Sequence, residues 1–209
     1  MNAAFRRGVE KHIVVLLGVA FGALLTEGLL LIAFQALLAN IMSGVVNALL
    51  ILLTTMTCFV AFPYVTLKKV YKVDLHELGL SGADKKTAAL SLAIAVLGVA
   101  AGIIYKNTRV SLGVILLQNA AVAAAEEFIA RGCVFFILRK IKQSFWFVVP
   151  VSTLIFVFIF HSNAPLVENL IWRLPISAVL ALAYYFTKRL YVPVSIHFAY
   201  NVAVSMIIG

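Results

Sequence analysis

Charge is scarce in this sequence, and acidic charge is the scarcer kind. Of 209 residues only 12% are charged, with 17 Lys and Arg against 8 Asp and Glu, while 64% are hydrophobic and the mean hydropathy is +1.08. A soluble domain has about 25% charged residues, so the composition excludes that class. The apolar runs are about 20 residues long, which predicts spanning helices and excludes a barrel, whose strands need only about 10 residues with alternating polarity.

Cysteine is equally rare, and several site patterns are missing. The two cysteines, Cys58 and Cys133, both lie within apolar runs, which excludes a disulfide framework and predicts buried free thiols. Neither has the spacing of a zinc motif, and no H-E-x-x-H pattern occurs. The basic residues flank the apolar runs instead of clustering on a polar domain, which argues against nucleic acid and favours contact with anionic lipid.

The order of the apolar runs predicts an all-α fold, a polytopic transmembrane bundle of about seven spans forming a single integral membrane domain over 1–209. More Lys and Arg lie at the N-terminus, in the polar connection 68–86 and after spans four and six than on the other side. By the positive-inside rule this places the N-terminus in the cytoplasm. The spans are predicted at about 13–38, 45–66, 87–105, 112–138, 145–160, 170–187 and 192–209.

The fourth span contains three charges within six residues: Glu126, Glu127 and Arg131. Each charge at bilayer depth costs about 2.5 to 3.5 kcal/mol even on the lenient insertion scale, so they require an explanation. Glu127 and Arg131 are four residues apart with the acid first, which predicts an ion pair that supports the helix. Glu126 lies on another face and has to find its partners on other helices.

Three further polar residues lie on later spans: His161, His197 and Asn201. His197 and Asn201 share one helix face, and together with Glu126 they would be costly facing lipid but not facing a shared cavity. We therefore predict peptide hydrolysis, in which Glu126 and His161 activate a water while His197 and Asn201 donate hydrogen bonds to the oxyanion. At 1.5 Å per residue, Glu126, His161 and His197 lie about 18, 24 and 13 Å from their helix ends, so tilted or unequal helices are also required.

Other interpretations remain open at this stage. A glutamate and two histidines also form a catalytic zinc set, so a zinc or other divalent-metal site at Glu126, His161 and His197 is the alternative to our expectation of no cofactor. A histidine at a helix end is often a cap, and His197 with Asn201 could simply join helices by hydrogen bonds. Glu27, in the first span, is either a further site group or a residue facing the bundle interior.

At these residues the sequence resembles the type II CAAX prenyl proteases and their bacterial bacteriocin-processing and self-immunity relatives, the CPBP or Abi group of intramembrane glutamate-dependent endopeptidases. The family pattern E-E-x-x-x-R matches Glu126, Glu127 and Arg131; F-x-x-x-H matches at His161, with Val157 in place of Phe; and H-x-x-x-N matches His197 and Asn201. The resemblance spans 112–209, and LHELGLSG at 75–82 is similar to the loop before the family's core.

The resemblance implies a protease core in the C-terminal half, with Glu126 and His161 activating water and His197 and Asn201 forming the oxyanion site. The substrate would be a peptide or a membrane-anchored protein. The protein itself would be a multi-pass protein of a bacterial cell membrane. The leading alternative is a non-catalytic self-immunity or peptide-binding protein of the same fold. A small transporter is a third possibility, but the paired repeats and midplane helix breaks typical of that class are not evident in the sequence.

Overall fold

The fold is described from a computed structural model, which covers residues 3–41, 43–82 and 84–207, with side chains from residue 6 onward except at residue 39. These residues form seven helices and no strand, which confirms the predicted all-helical membrane bundle. The last two residues of the predicted seventh span lie outside the described part. The helices are α1 (Ala3–Leu38), α2 (Gly44–Tyr71), α3 (Lys85–Ile104), α4 (112–141), α5 (Phe145–Phe160), α6 (Leu166–Thr187) and α7 (Tyr191–Ile207).

Four of these helices are long and apolar enough to cross a membrane by length and composition: Arg6–Leu38 of α1, and the whole of α2, α3 and α6. Helices α5 and α7 are apolar but shorter. Large aliphatic side chains cover the outer surface, among them Val14, Leu97 and Ile104, which are each more than two-thirds exposed. This surface suits hydrocarbon and not water, and the protein is an integral membrane protein.

The helices extend beyond the predicted spans by four or more residues at three places. Helix α1 begins ten residues earlier than predicted, α2 continues past residue 66 to Tyr71, and α6 begins at Leu166 instead of 170. A helix can continue beyond its hydrophobic segment, because its backbone hydrogen bonds do not depend on apolar side chains. Long basic side chains can also lie along an apolar helix end. The Lys68 ammonium, for example, lies 5.4 Å from the centre of the Tyr64 ring. The polar connection after α2 is therefore shorter than the predicted 68–86.

Local sequence explains where the helices begin and end. Ser43 caps α2 by accepting a hydrogen bond from the Val46 N–H at 3.2 Å, and Asp84 caps α3 by accepting from the Lys86 N–H at 3.1 Å. The Thr87 hydroxyl also donates to Asp84, and this bond is the main cause that lowers the pKa of the Asp84 carboxyl. At their C-terminal ends, α2 and α6 stop at Lys72 and Lys188, which both adopt the left-handed conformation.

The basic connections lie together at one end of the bundle, as the charge pattern predicts. The N–H of Leu190, after α6, donates to the carbonyl of Gly79 in the loop before α3, and Arg189 forms an ion pair with Asp84 at 3.9 Å. At the opposite end the Asn107 N–H donates to the carbonyl of Met206. The placement of the first end in the cytoplasm stays a prediction.

Helix α4 is the centre of the bundle. Its first half packs against α2 and α7, and its second half packs against α1 and α5. Four segments within the helices have π-helical hydrogen bonding: Met56–Ala61 in α2, Phe128–Val134 in α4, Phe156–Phe160 in α5 and Asn169–Arg173 in α6. Segments of this kind often occur at functional sites. Here Phe128–Val134 contains Arg131, Phe156–Phe160 precedes His161, and Asn169–Arg173 begins at Asn169, which contacts His161.

Helices α3 and α7 approach closely because α3 presents glycines four residues apart. A Cβ atom at Gly98 would lie 2.6 Å from the Ala199 Cα, and one at Gly102 would lie 2.6 Å from the Met206 Sδ. This small-xxx-small pattern lets two helices in a membrane come into backbone contact. The contact fixes the position of α7, on which His197 lies two residues from Ala199.

Gly98→Ala is therefore expected to destabilise the bundle by about 1–3 kcal/mol, since the added methyl cannot fit without moving α7. Gly18→Ala in α1 is the matched control, because a Cβ there meets nothing within 4 Å. The measurement is unfolding in mixed micelles with increasing sodium dodecyl sulfate. Equal stability of the two variants would contradict the close packing of α3 on α7.

Candidate active site

The Glu126 carboxylate on α4 meets two histidine side chains from two other helices, His161 and His197. The Glu126 Oε2 lies 3.8 Å from the Nε2 of His161 and 3.7 Å from the Nε2 of His197. His161 ends α5 and His197 lies in α7, so Glu126 finds its partners on other helices, as its position on α4 requires. The Glu126 and His161 side chains are 16% and 20% exposed, which leaves this cluster accessible from outside the core.

The ion pair of Glu127 with Arg131 forms as the four-residue spacing predicts, and both side chains are fully buried. Two contacts of 3.3 Å join them: the Arg131 Nη1 donates to Glu127 Oε1, and Nε lies opposite Oε2 without the alignment of a hydrogen bond. The Arg131 Nη2 also donates to both the carbonyl and the hydroxyl of Ser177, at 2.9 Å each. Arg131 thereby joins α4 to α6 through charge-assisted hydrogen bonds.

Glu127 also orients His197. The His197 Nδ1 donates to the Glu127 Oε1 at 2.8 Å, in a contact where the carboxylate is fully buried and the imidazole is 9% exposed. This bond fixes the ring so that its other nitrogen, Nε2, faces Glu126. A carboxylate that holds one nitrogen of a histidine while the other faces a site is a common way to set both ring orientation and tautomer.

His161 is held by backbone groups. Its Nδ1 donates to the carbonyl of Phe156 at 3.0 Å, and the Nδ2 of Asn169, on α6, donates to the His161 carbonyl at 3.0 Å. Phe156 is the first residue of the π-helical segment that ends α5. With the Nδ1 proton used in this way, the Nε2 of His161 is left as an acceptor facing Glu126.

Phe156 packs against all three cationic or imidazole groups of the cluster. The Arg131 guanidinium lies over its ring at 4.6 Å, the His161 ring lies 4.6 Å away, and the His197 ring meets it edge-on at 6.1 Å. An aromatic face stabilises a buried guanidinium and at the same time excludes water from that side. The cluster is therefore closed by Phe156 on one side.

Two candidate residues, Asn201 and Glu27, form no hydrogen bond with the cluster in the described part of the chain. Asn201 lies on α7 one turn after His197 and is half-buried, as the shared helix face predicts, and its amide makes no hydrogen bond within the described residues. Glu27, on α1, lies close enough to Glu126 for their charges to interact. Glu27 is partly buried near the cluster, a position that agrees with both interpretations of this residue.

The candidate metal ligands Glu126, His161 and His197 lie slightly farther apart than a bound zinc ion would hold them. In the described ranges no group of three or more His, Cys, Asp or Glu side chains is placed to hold a metal ion. Tetrahedral zinc with bonds of about 2.0–2.1 Å would bring its ligand atoms to about 3.4 Å from one another, which is closer than the distances from Glu126 to the two histidines. We derive no step through a metal.

Residues 109–203 match a family model described as type II CAAX prenyl endopeptidase, Rce1-like. The matched region lies in the C-terminal half of the chain and covers just under half of its length. The match includes α4 to α7 almost entirely and thus contains Glu126, Glu127, Arg131, His161, His197 and Asn201. No curated protein and no solved structure matches the chain.

Within the matched region, three contacting residues were not predicted from the sequence: Phe156, Asn169 and Ser177. Each acts through a neighbour, Phe156 on Arg131, Asn169 on His161 and Ser177 on Arg131. The sequence pattern that could have indicated them was weak, since an Asn or a Ser in or beside an apolar run can form contacts with many different helices. The two cysteines, by contrast, are free and buried as predicted.

Proposed function

We propose that this protein is an intramembrane endopeptidase that hydrolyses a peptide bond of a hydrophobic or membrane-associated substrate by means of water activated by Glu126 and His161. The observation that carries the proposal is the approach of the Glu126 Oε2 to the Nε2 atoms of His161 and His197, at 3.8 and 3.7 Å. A single water can bridge polar atoms that are separated by more than 3.5 Å. The family match of residues 109–203 supports the same class of reaction.

The proposed reaction begins with a proton transfer. A water held between Glu126 and His161 gives one proton to the Glu126 carboxylate while its oxygen attacks the scissile carbonyl carbon. His161 accepts a hydrogen bond from that water through Nε2, because its Nδ1 proton is used by the Phe156 carbonyl. When the tetrahedral intermediate collapses, the carbon–nitrogen bond breaks and Glu126 returns the proton to the leaving amine.

The oxyanion that forms in this step needs donors, and α7 supplies them. An imidazolium at His197 donates through Nδ1 to Glu127 and through Nε2 to the oxyanion, and the Asn201 amide is a second donor one turn along. With Glu126, Glu127 and Arg131 ionised, an imidazolium at His197 brings the sum of these four charges to zero. A neutral total suits groups that lie largely out of water.

The proposal is tested by profiling cleaved membrane peptides in cells that lack the protein and receive wild type, Glu126→Gln or Glu168→Gln. Glu168 is the control carboxylate, because it is more than half exposed and paired with Arg173 outside the cluster. Wild type and Glu168→Gln should produce the same new N-termini, and Glu126→Gln should accumulate the uncleaved peptides. Wild-type levels of the new N-termini with Glu126→Gln would overturn the proposal. A wild type that restores the cells without producing any new N-termini would instead favour a non-catalytic peptide-binding or self-immunity protein.

Activity is expected to survive exhaustive chelation, since the proposed mechanism uses no cofactor. The measurement compares hydrolysis by the detergent-purified protein before and after chelation, together with the metal content of the active preparation. Activity that is lost on chelation and restored by zinc, with about one metal per chain, would contradict the metal-free mechanism and assign Glu126, His161 and His197 as ligands.

A further inference from the structure

A second polar site lies at the basic end of the bundle, away from the Glu126 cluster. A cavity of about 180 Å³ opens between the last turn of α4, the loop before α3 and the end of α6. Arg139 is thirteen residues after Glu126 on α4, which corresponds to about 20 Å along the helix. A ligand in this cavity would therefore not touch the candidate active site. The cavity is lined by Glu77, Phe136, Arg139, Lys140, Gln143 and Tyr184.

The charge around this cavity is predominantly positive. Arg139 and Lys140 both line it, and Lys188 lies close enough to Arg139 for their charges to interact. Of the six lining residues Glu77 alone is acidic, and its carboxylate already accepts a hydrogen bond from the Asp74 N–H at 3.1 Å. Within the described residues neither Arg139 nor Lys140 forms an ion pair.

Arg139 has an unused donor in a fixed position. Its Nη2 is buried and makes no hydrogen bond in the described part of the chain, although a buried guanidinium nitrogen without a partner is costly. Its guanidinium carbon lies 5.7 Å from the centre of the Phe135 ring and 5.9 Å from that of Tyr185, so aromatic rings hold the head group in place. A positioned guanidinium with a free donor suits a tetrahedral oxyanion such as phosphate.

Lys188 adds a further positive charge beside Arg139. Its ammonium lies 3.9 Å from the centre of the Tyr185 ring, and burial together with the nearby Arg139 charge lowers the pKa of Lys188 to about 8. Burial is the larger of these two causes, and the smaller one reflects the crowding of Lys188 with Arg139. An anion bound between Arg139, Lys140 and Lys188 would relieve that crowding.

We propose that the cavity between α4, the loop before α3 and the end of α6 binds a phosphate group, held by Arg139 and Lys140 with Lys188 beside them. Its position at an end of the helices, where lipid headgroups lie, makes a phospholipid headgroup and a soluble phosphate compound the two sources of such a group. The proposal does not depend on the catalytic one, because no residue is shared between the two sites.

The test measures the thermal unfolding of the detergent-purified full chain with three probes: dioctanoyl phosphatidylglycerol, dioctanoylglycerol without phosphate, and inorganic phosphate. The unfolding temperature should rise with the concentration of the phospholipid, of inorganic phosphate or of both, and should not rise with dioctanoylglycerol. A rise with the phospholipid alone identifies the source as lipid, and a rise with phosphate alone identifies it as soluble. No rise with either phosphate probe would overturn the proposal.

Variants locate the binding. Arg139→Gln and Lys140→Gln should each weaken binding by about tenfold or more, whereas Lys69→Gln, an exposed lysine at the same end outside the cavity, should change it by less than about twofold. Lys140 is exposed, so its variant keeps the test valid if Arg139→Gln fails to fold. Glu126→Gln should bind like wild type. Equal losses in Lys69→Gln and Lys140→Gln would show diffuse attraction of the basic surface and overturn the site.

Discussion

Glu126→Gln is expected to lower peptide-bond hydrolysis by on the order of 10³-fold, which is the size of a lost general base. The amide has almost the shape of the carboxylate, so it can occupy the same place beside His161 and His197, but it cannot take a proton from water. The measurement is kcat/KM on a peptide found by the profiling experiment. Because substrate contacts are retained, the loss should fall on kcat while KM changes little.

Glu168→Gln is the control for this loss, since it removes a carboxylate in the first turn of α6 that is paired with Arg173 and does not contact the Glu126 carboxylate. It should keep its activity within about twofold. Unfolding of Glu126→Gln in mixed micelles should match wild type or show slightly higher stability, because Glu126 lies near the like charge of Glu27. Normal hydrolysis by Glu126→Gln would exclude Glu126 as the base.

Arg131→Met is expected to destabilise the protein by about 3–5 kcal/mol, the usual cost of removing one partner from a buried ion pair. The variant leaves the fully buried Glu127 with His197 as its remaining partner, and it also deprives the Ser177 carbonyl and hydroxyl of their donor. The measurement is again unfolding in mixed micelles. Arg6→Met is the matched control, because Arg6 and Glu10 form a pair of the same four-residue spacing that is exposed and contributes little.

A double variant separates the two contributions of this buried pair. Glu127→Gln combined with Arg131→Met removes both charges, and it should recover much of the lost stability, since apolar or neutral replacement of a whole buried pair costs little. The Gln oxygen can still accept from the His197 Nδ1. If the double variant is no more stable than Arg131→Met alone, the ion pair is not the reason that Arg131 stabilises the fold.

Much of this arrangement could be predicted from the sequence, because the cost of charge in lipid is so high. Glu127 and Arg131 had to pair at their spacing, and Glu126, on another face, had to find partners on other helices. His161 and His197 contact Glu126 as that argument requires. The catalytic roles of these residues stay predictions, and so does the division of the chain into one domain with a protease core at 112–209.

The depths of the side chains in the membrane could not be predicted from the sequence. Regular helices that all begin and end at the same membrane surfaces would have placed Glu126, His161 and His197 at different depths. The structure brings them together through a short α5 whose end lies inside the bundle at His161, and through the π-helical segments next to Glu127 and His161. Such segments depend on packing between helices and leave no pattern in the chain. The same is true of Ser177 and Asn169, whose partners lie 46 and 8 residues away.

The central claim is that Glu126 and His161 act on one and the same water, and a double-mutant cycle on hydrolysis tests it most directly. Glu126→Gln, His161→Ala and the combined variant are compared by kcat/KM, with product followed over long incubations so that small residual rates are measured. If both residues act on one water, the combined variant should be about as slow as Glu126→Gln alone. A combined loss equal to the product of the two single losses would mean that the residues act independently, and it would contradict the account.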